Sequence, residues 1–260
     1  MAELLTSPHN PKIKDLLLLE NKPRERKARG LFVVEGRREY GRAVAAGWQT
    51  ETLFVREGEP EATQADFVVS PGLYERIAWR EGTEGIIAVM RTRDLSLEDI
   101  PLPACPLVLV LEQVEKPGNL GAVLRTADAA GVDAVLVCDP QTDLFNPNVV
   151  RASLGALFSV PVASCTSAEA HAWLASHGIT ILTAQLQDSR PYYDTDMTGA
   201  VALVFGTEDR GLSDFWRERA HAHIRIPMAG AMDSLNVSVS AAILTFEAVR
   251  QRNLTKNPAR

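Results

Sequence analysis

A chain of 260 residues with 46% hydrophobic and 23% charged residues is composed to fold, and is long enough for one large domain or two small ones. That balance excludes a disordered chain. The start "MAELLTSPHN" resembles neither a secretory signal nor a transit peptide, and no apolar run reaches membrane-spanning length, so a cytoplasmic protein with no membrane partner is expected. The net charge of −6 disfavours a polyanionic partner only on average, because residues 1–56 hold eleven Lys/Arg against seven Asp/Glu and carry +4, leaving −10 elsewhere.

The first elements alternate in type: a helical "KIKDLLLLE", a strand "LFVVEG", a helix "RREYGRAVAAG", strands "ETLFVR" and "ADFVVS", a short helix near "GLYERIA" and a strand "GIIAVM". They predict a small α/β domain. Within it the run "NKPRERKARG" (Asn21–Gly30) is dense enough to engage a phosphate backbone, and it suits the solvated face of a helix or loop equally well. The candidate nucleic-acid contacts are Lys12, Lys14, Arg24, Arg26, Lys27, Arg29, Arg37 and Arg38. The stretch "RTRDLSLEDIPLPACP" (Arg91–Pro106) mixes charges with three prolines and reads as a linker. The expected division is therefore residues 1–95, a linker at 96–106, and residues 107–260.

From Leu107 the strands are near-continuous Val/Leu/Ile runs separated by helices: "LVLVLEQV", the helix from Asn119, "AVLVCD", the helix "NVVRASLGALF", "VPVAS", "SAEAHAWLASHG", "ITILTAQ", "AVALVFG", "SDFWRERA", "HIRIPM" and a last helix from Ser234. This pattern predicts an α/β fold with a mostly parallel sheet covered by helices on both faces, whose ligands bind beyond the carboxyl ends of the strands. Cys105, Cys138 and Cys165 have no ligand-like spacing and read as buried small hydrophobes in a reduced compartment, with no metal site expected.

Three stretches stand out. In "NLGAVLRTADAAGV", Leu120, Val123, Leu124, Ala127 and Ala130 form an apolar helical stripe with Asn119 as N-cap and Gly131 as the stop, while Arg125 lies off the stripe. The stretch "ALVFGTEDRGLS" puts Gly206 at a strand end and Glu208 two residues on. In "IRIPMAGAMDSLNVS", a loop leads into a helix entrance bearing Ser234, Asn236 and Ser238, groups suited to an anion or carboxylate. The last helix has two apolar stripes, Val237, Ala241, Leu244, Ala248 and Val239, Ile243, Phe246, Val249, and is expected to be covered on two sides, the second by a partner subunit.

In order, "KPGNLGAVLRTADAAGV", "LVFGTEDRGLS" and "IPMAGAMDSLNVSVSAAILTFE" resemble the three motifs of the SpoU-type, or SPOUT-class, RNA ribose 2′-O-methyltransferases. Residues 1 to about 95, through "NPKIK", "LFVVEGRRE" and "EGIIAV", look like the ribosomal-protein-like substrate-binding domain that often precedes that catalytic domain. The resemblance implies a deep C-terminal trefoil knot, bound S-adenosylmethionine, a homodimer, and structured RNA as substrate, ribosomal RNA first and transfer RNA second. It also implies that Ala184, Gly206, Ile226, Met228 and Leu235 surround the cofactor and that Asn119, Arg125, Glu208, Ser234 and Asn236 form the catalytic set. Lys116 departs from the acid that many relatives carry before the proline. A guanidinium with a pKa above about 12 rarely surrenders its proton, so Arg125 is expected to clamp a phosphate, with Glu208 orienting it or a ligand amine. A non-catalytic RNA-binding or ribosome-assembly factor of the same fold is the alternative of a different class. A nicotinamide-dependent enzyme is disfavoured by the absence of G-x-G-x-x-G after the first strand of either domain.

Overall fold

The computed structural model describes residues 2–79, 84–93 and 95–256. In chain order they form β1 (Glu3–Leu5), α1 (Pro11–Asn21), α2 (Pro23–Arg29), β2 (Leu31–Glu35), α3 (Arg37–Ala45), β3 (Thr50–Arg56), β4 (Phe67–Val69), α4 (Pro71–Ile77) and β5 (Ile86–Arg91). Then come β6 (Leu107–Glu112), α5 (Pro117–Ala130), β7 (Ala134–Cys138), α6 (Pro147–Ser153), α7 (Ala156–Ser159), β8 (Val162–Cys165), α8 (Ser167–Ser176) and β9 (Thr180–Ala184). The chain continues with β10 (Arg190–Pro191), β11 (Val201–Phe205), α9 (Asp214–Arg219), β12 (Ala222–Arg225) and α10 (Val237–Lys256). Among the described residues no helix is long and apolar enough to cross a membrane.

Two compact units result, residues 1–93 with 143–159, and residues 94–142 with 160–260. The first holds a five-stranded sheet in the order β1-β4-β3-β5-β2, with β5 antiparallel to both its neighbours. Helix α1 starts where Asn10 Oδ1 accepts the Lys12 N–H and Pro11 presets the first turn, and it buries Ile13, Leu16 and Leu19 at helical spacing. The basic run is helix α2, which stops at Gly30 in the left-handed region.

The segment 143–159, which the sequence places with the second domain, belongs to the first. Aromatic packing explains it: Phe145 and Phe158 lie 4.7 and 6.2 Å from the Phe32 ring, and both meet Trp48 edge-on. Trp48 Nε1 also donates to the Phe158 carbonyl. Nor is the segment one helix, because Leu154 (φ 52°) and Gly155 (φ 90°) break it into α6 and α7.

The second unit is a seven-stranded sheet in the order β10-β12-β9-β11-β6-β7-β8, and every pairing is parallel. Strands β6, β7 and β11 are buried along their whole length, as a sheet covered on both faces requires. Chain order reverses across β11 and β6, so the open crevice lies beyond their carboxyl ends. Of the cysteines, Cys138 is buried, Cys165 half-buried beside it with the sulfurs 3.9 Å apart, and Cys105 is exposed, contrary to the reading of all three as core.

Candidate active site

Helix α5 begins at Pro117 with Lys116 as N-cap, not at Asn119. Proline at the first helical position has no N–H to satisfy and its fixed φ suits the turn, so the helix starts without a side-chain cap. Asn119 is thereby free to turn to other loops. Its Nδ2 donates to Glu208 Oε1 at 2.6 Å, and Asn236 Nδ2 donates to the same oxygen at 2.6 Å and to Asn119 Oδ1 at 3.1 Å. Lys116 Nζ pairs with Glu208 Oε2. Three strand-end loops thus meet at one carboxylate.

The charge of Glu208 is stabilised by this arrangement. Its pKa is lowered, first by the hydrogen bond from Lys116 and further by that from Asn119, while the Lys116 ammonium is raised by Glu208. Lys116 is the member that the sequence leaves outside the catalytic set; its signals are its place three residues before Asn119 and its departure from the acid that many relatives carry there. Asn236 also caps α10, accepting from Ser238 N and Ser238 Oγ at 2.9 and 2.6 Å, so the last helix starts at Val237, three residues later than expected.

All five expected cofactor residues line one cavity of about 290 Å³: Ala184 after β9, Gly206 after β11, Ile226 and Met228 after β12, and Leu235 before α10. Glu208 and Ser234 line it too, and Glu208 also lines a smaller cavity of about 150 Å³ with Lys116 and Asn119. A Cβ on Gly206 would stand 2.2 Å from the Gly211 backbone carbonyl, so glycine is required there by close approach of two backbone segments. The cavity suits a nucleoside with an apolar slot and hydrogen-bonding backbone. Gln185 lines it and has a buried side-chain oxygen with no hydrogen-bond partner among the described residues, an acceptor left for a ligand donor.

Two members of the expected catalytic set stay apart from the cluster. Ser234 Oγ donates to Asp233 at 3.3 Å. Arg125 is exposed, lines neither cavity, and forms no ion pair among the described residues. Six residues beyond Asn119, it lies about 9 Å along the helix axis and about 120° around it. Glu208 therefore orients Asn119, Asn236 and Lys116 instead of Arg125.

The expected nucleic-acid contacts also divide. Arg26 is 2% exposed, bound to Asp143 at 2.6 Å and to the carbonyls of Leu19 and Glu20, and so is structural: a buried guanidinium held by these partners is not available to a phosphate. Arg29 makes a two-pronged bond with Asp15, Arg37 pairs with Glu59 and Glu61, and Arg38 with Glu39. Lys12, Lys14, Arg24 and Lys27 are exposed and form no ion pair among the described residues.

A family model described as the SpoU rRNA Methylase family matches residues 106–246, and one described as the MRM3-like substrate binding domain matches residues 10–88. The 23S rRNA (guanosine-2′-O-)-methyltransferase RlmB of Escherichia coli (strain K12) is 41% identical over 176 residues, covering 65% of this chain and 72% of its own. The 23S rRNA (guanosine(2553)-2′-O)-methyltransferase RlmP of Bacillus subtilis (strain 168) is 29% identical over 247 residues, covering 93% and 97%. A crystal structure of an AdoMet-bound rRNA methyltransferase from Sinorhizobium meliloti matches with a TM-score of 0.89 at 29% identity, covering 96% of this chain and 98% of that one. The knot follows from this shared fold. With its three motifs set at the carboxyl ends of β6, β11 and β12, the chain belongs to the SpoU rRNA methylase family.

Proposed function

We propose that this protein transfers the methyl group of S-adenosylmethionine to a ribose 2′-hydroxyl in ribosomal RNA. The observation that carries the reading is the convergence of Asn119, Glu208 and Asn236 beside the cavity lined by Ala184, Gly206, Ile226, Met228 and Leu235. When bound, S-adenosylmethionine supplies an electrophilic sulfonium methyl. What the chain must add is alignment of the attacking oxygen, and alignment is worth several orders of magnitude in rate. The smaller cavity lined by Lys116, Asn119 and Glu208 is the place this reading gives the ribose hydroxyl. Glu208, held ionised, fixes both asparagine amides. A carboxylate of lowered pKa is a weak base, so it positions the hydroxyl, whose proton passes to solvent water as O–C bond formation makes that oxygen acidic.

Arg125 serves as the phosphate clamp, and it does so across a homodimer. Helix α10 buries Ala241, Leu244 and Ala248 but leaves Val239 and Phe246 45% and 47% exposed, and it packs on α5, which carries Arg125. A second copy covering that face brings an otherwise remote guanidinium to its neighbour's site.

The first unit is the RNA-binding part, with Lys12, Lys14, Arg24 and Lys27 as exposed cations in no ion pair among the described residues. Ribosomal RNA is favoured over transfer RNA by what the RlmB and RlmP relatives are named for and by the substrate-binding family match. The test is methyl transfer by the purified protein to deproteinised ribosomal RNA, with transfer RNA as the competing substrate. Transfer to ribosomal RNA is expected, together with S-adenosylmethionine binding that persists in a metal chelator. Cofactor binding without transfer to any RNA would leave the non-catalytic factor as the better reading.

A further inference from the structure

The first unit carries one tryptophan that its core does not use. Trp173 and Trp216 are buried and Trp48 belongs to the aromatic cluster, but Trp79, just past α4, is 46% exposed. Its position is fixed all the same. The backbone N–H donates to Glu35 Oε1 at 2.9 Å, and the guanidinium carbon of Arg151, on α6, stands 5.1 Å from the ring centroid. Nearly half of the side chain's neighbourhood is left to solvent, on an indole already oriented by the protein.

The surroundings are cationic and polar. Arg76, three residues earlier, is exposed and forms no ion pair among the described residues. The groups set against Trp79 itself are the Glu35 carboxylate and the Arg151 guanidinium.

We propose that Trp79 is a stacking platform for an unpaired base of the RNA substrate, with the exposed Arg76 of α4, three residues earlier, meeting a phosphate of the same strand. Every base has a flat π face, an indole is a preferred surface for it, and phosphates on either side of the base need cations at the rim. A protein partner would require a contiguous apolar patch, whereas the groups set against Trp79 are the charged Glu35 and Arg151.

This inference rests on the RNA-methylating reading, and the test separates the two. Trp79→Ala and Trp79→Phe are compared with the wild-type full chain, using deproteinised ribosomal RNA and a fully paired duplex as probes. Trp79→Ala is expected to raise KM and Kd for ribosomal RNA about tenfold, with kcat and S-adenosylmethionine affinity within about twofold and duplex binding unchanged. Trp79→Phe keeps a ring and is expected to stay within about threefold of wild type. Ribosomal RNA should quench tryptophan fluorescence in the wild type and protect it from iodide, and Trp79→Phe should lose both signals. RNA binding that leaves the exposed indole unquenched and accessible to iodide, or equal losses in the Ala and Phe variants, overturns the platform. A wild-type protein that binds ribosomal RNA with quenching but transfers no methyl group overturns the enzymatic reading and leaves the platform standing.

Discussion

Asn236 lies 117 residues after Asn119 in the chain and yet donates its side-chain amide to Asn119 Oδ1 at 3.1 Å, and both amides donate to one oxygen of Glu208. Residues that share an acceptor act as a unit. Asn119→Ala, Glu208→Ala and Asn236→Ala are each expected to lower kcat/KM at least about a hundredfold, and the triple variant little further. Steady-state kinetics on ribosomal RNA check this; losses that multiply would show three independent residues.

Gly206→Ala tests the cofactor cavity. The added methyl must displace the Gly211 carbonyl or the Leu212 amide, both backbone atoms within 2.4 Å, so the loop itself has to move. Calorimetry is expected to find S-adenosylmethionine affinity reduced at least about tenfold, and thermal unfolding a loss of about 1–3 kcal/mol. Gly118→Ala, where a Cβ meets nothing within 4 Å, is the control and should leave affinity unchanged.

Glu20 makes stability pH-dependent. Burial, and next the charge of Glu35, push its carboxyl from the ordinary 4.5 up to about 8, so the folded state holds a proton that the unfolded state releases above its own pKa. Stability is then greatest below pH 4.5 for this group, falls as pH rises through the interval, and has lost the contribution above about 8. Glu20→Gln should flatten urea-unfolding free energy between those limits; an unchanged slope would mean that Glu20 titrates normally.

The basic helix α2 separates structural from binding cations. Arg26→Ala leaves Asp143 without its partner and is expected to cost about 3–5 kcal/mol in urea unfolding. Lys27→Ala should leave stability within about 0.5 kcal/mol while lowering the slope of log K for RNA against log salt by about 1. The opposite pattern would exchange their roles.

What the sequence made legible were features that depend on neighbours in the chain. Buried Val/Leu/Ile strands announced the parallel sheet, and Ala184, Gly206, Ile226 and Met228, near strand ends, line one cavity with Leu235, just before α10. Features that depend on distant partners were illegible. Arg26 looked like Arg24 and Lys27 because nothing local reveals that Asp143 neutralises it. The placement of 143–159 turned on Phe145 and Phe158 meeting Phe32 and Trp48, aromatic residues far earlier in the chain. Lys116 read as a departure from a pattern, while its partner Glu208 lies 92 residues on. The knot belongs to the path of the backbone and has no signature in residue spacing.

Arg125 supplies the sharpest check on the dimer. If it acts across the interface, Arg125→Ala and Glu208→Ala are each inactive alone, but mixing and re-equilibrating them gives heterodimers with one intact site, restoring about a quarter of wild-type activity. Arg125→Lys should remain impaired at every pH, since it keeps the charge and loses the two-pronged grip. No recovery on mixing would return Arg125 to its own protomer's site or to the solvent.

The most direct measurement is a map of ribose methylation, by resistance to alkaline cleavage, in ribosomal RNA from cells lacking this protein and from the same cells carrying the wild-type or Glu208→Ala chain. The account predicts that one 2′-O-methyl group disappears in the deletion, returns with the wild type, and stays absent with Glu208→Ala. A ribosomal RNA methylation pattern identical in all three strains would contradict it.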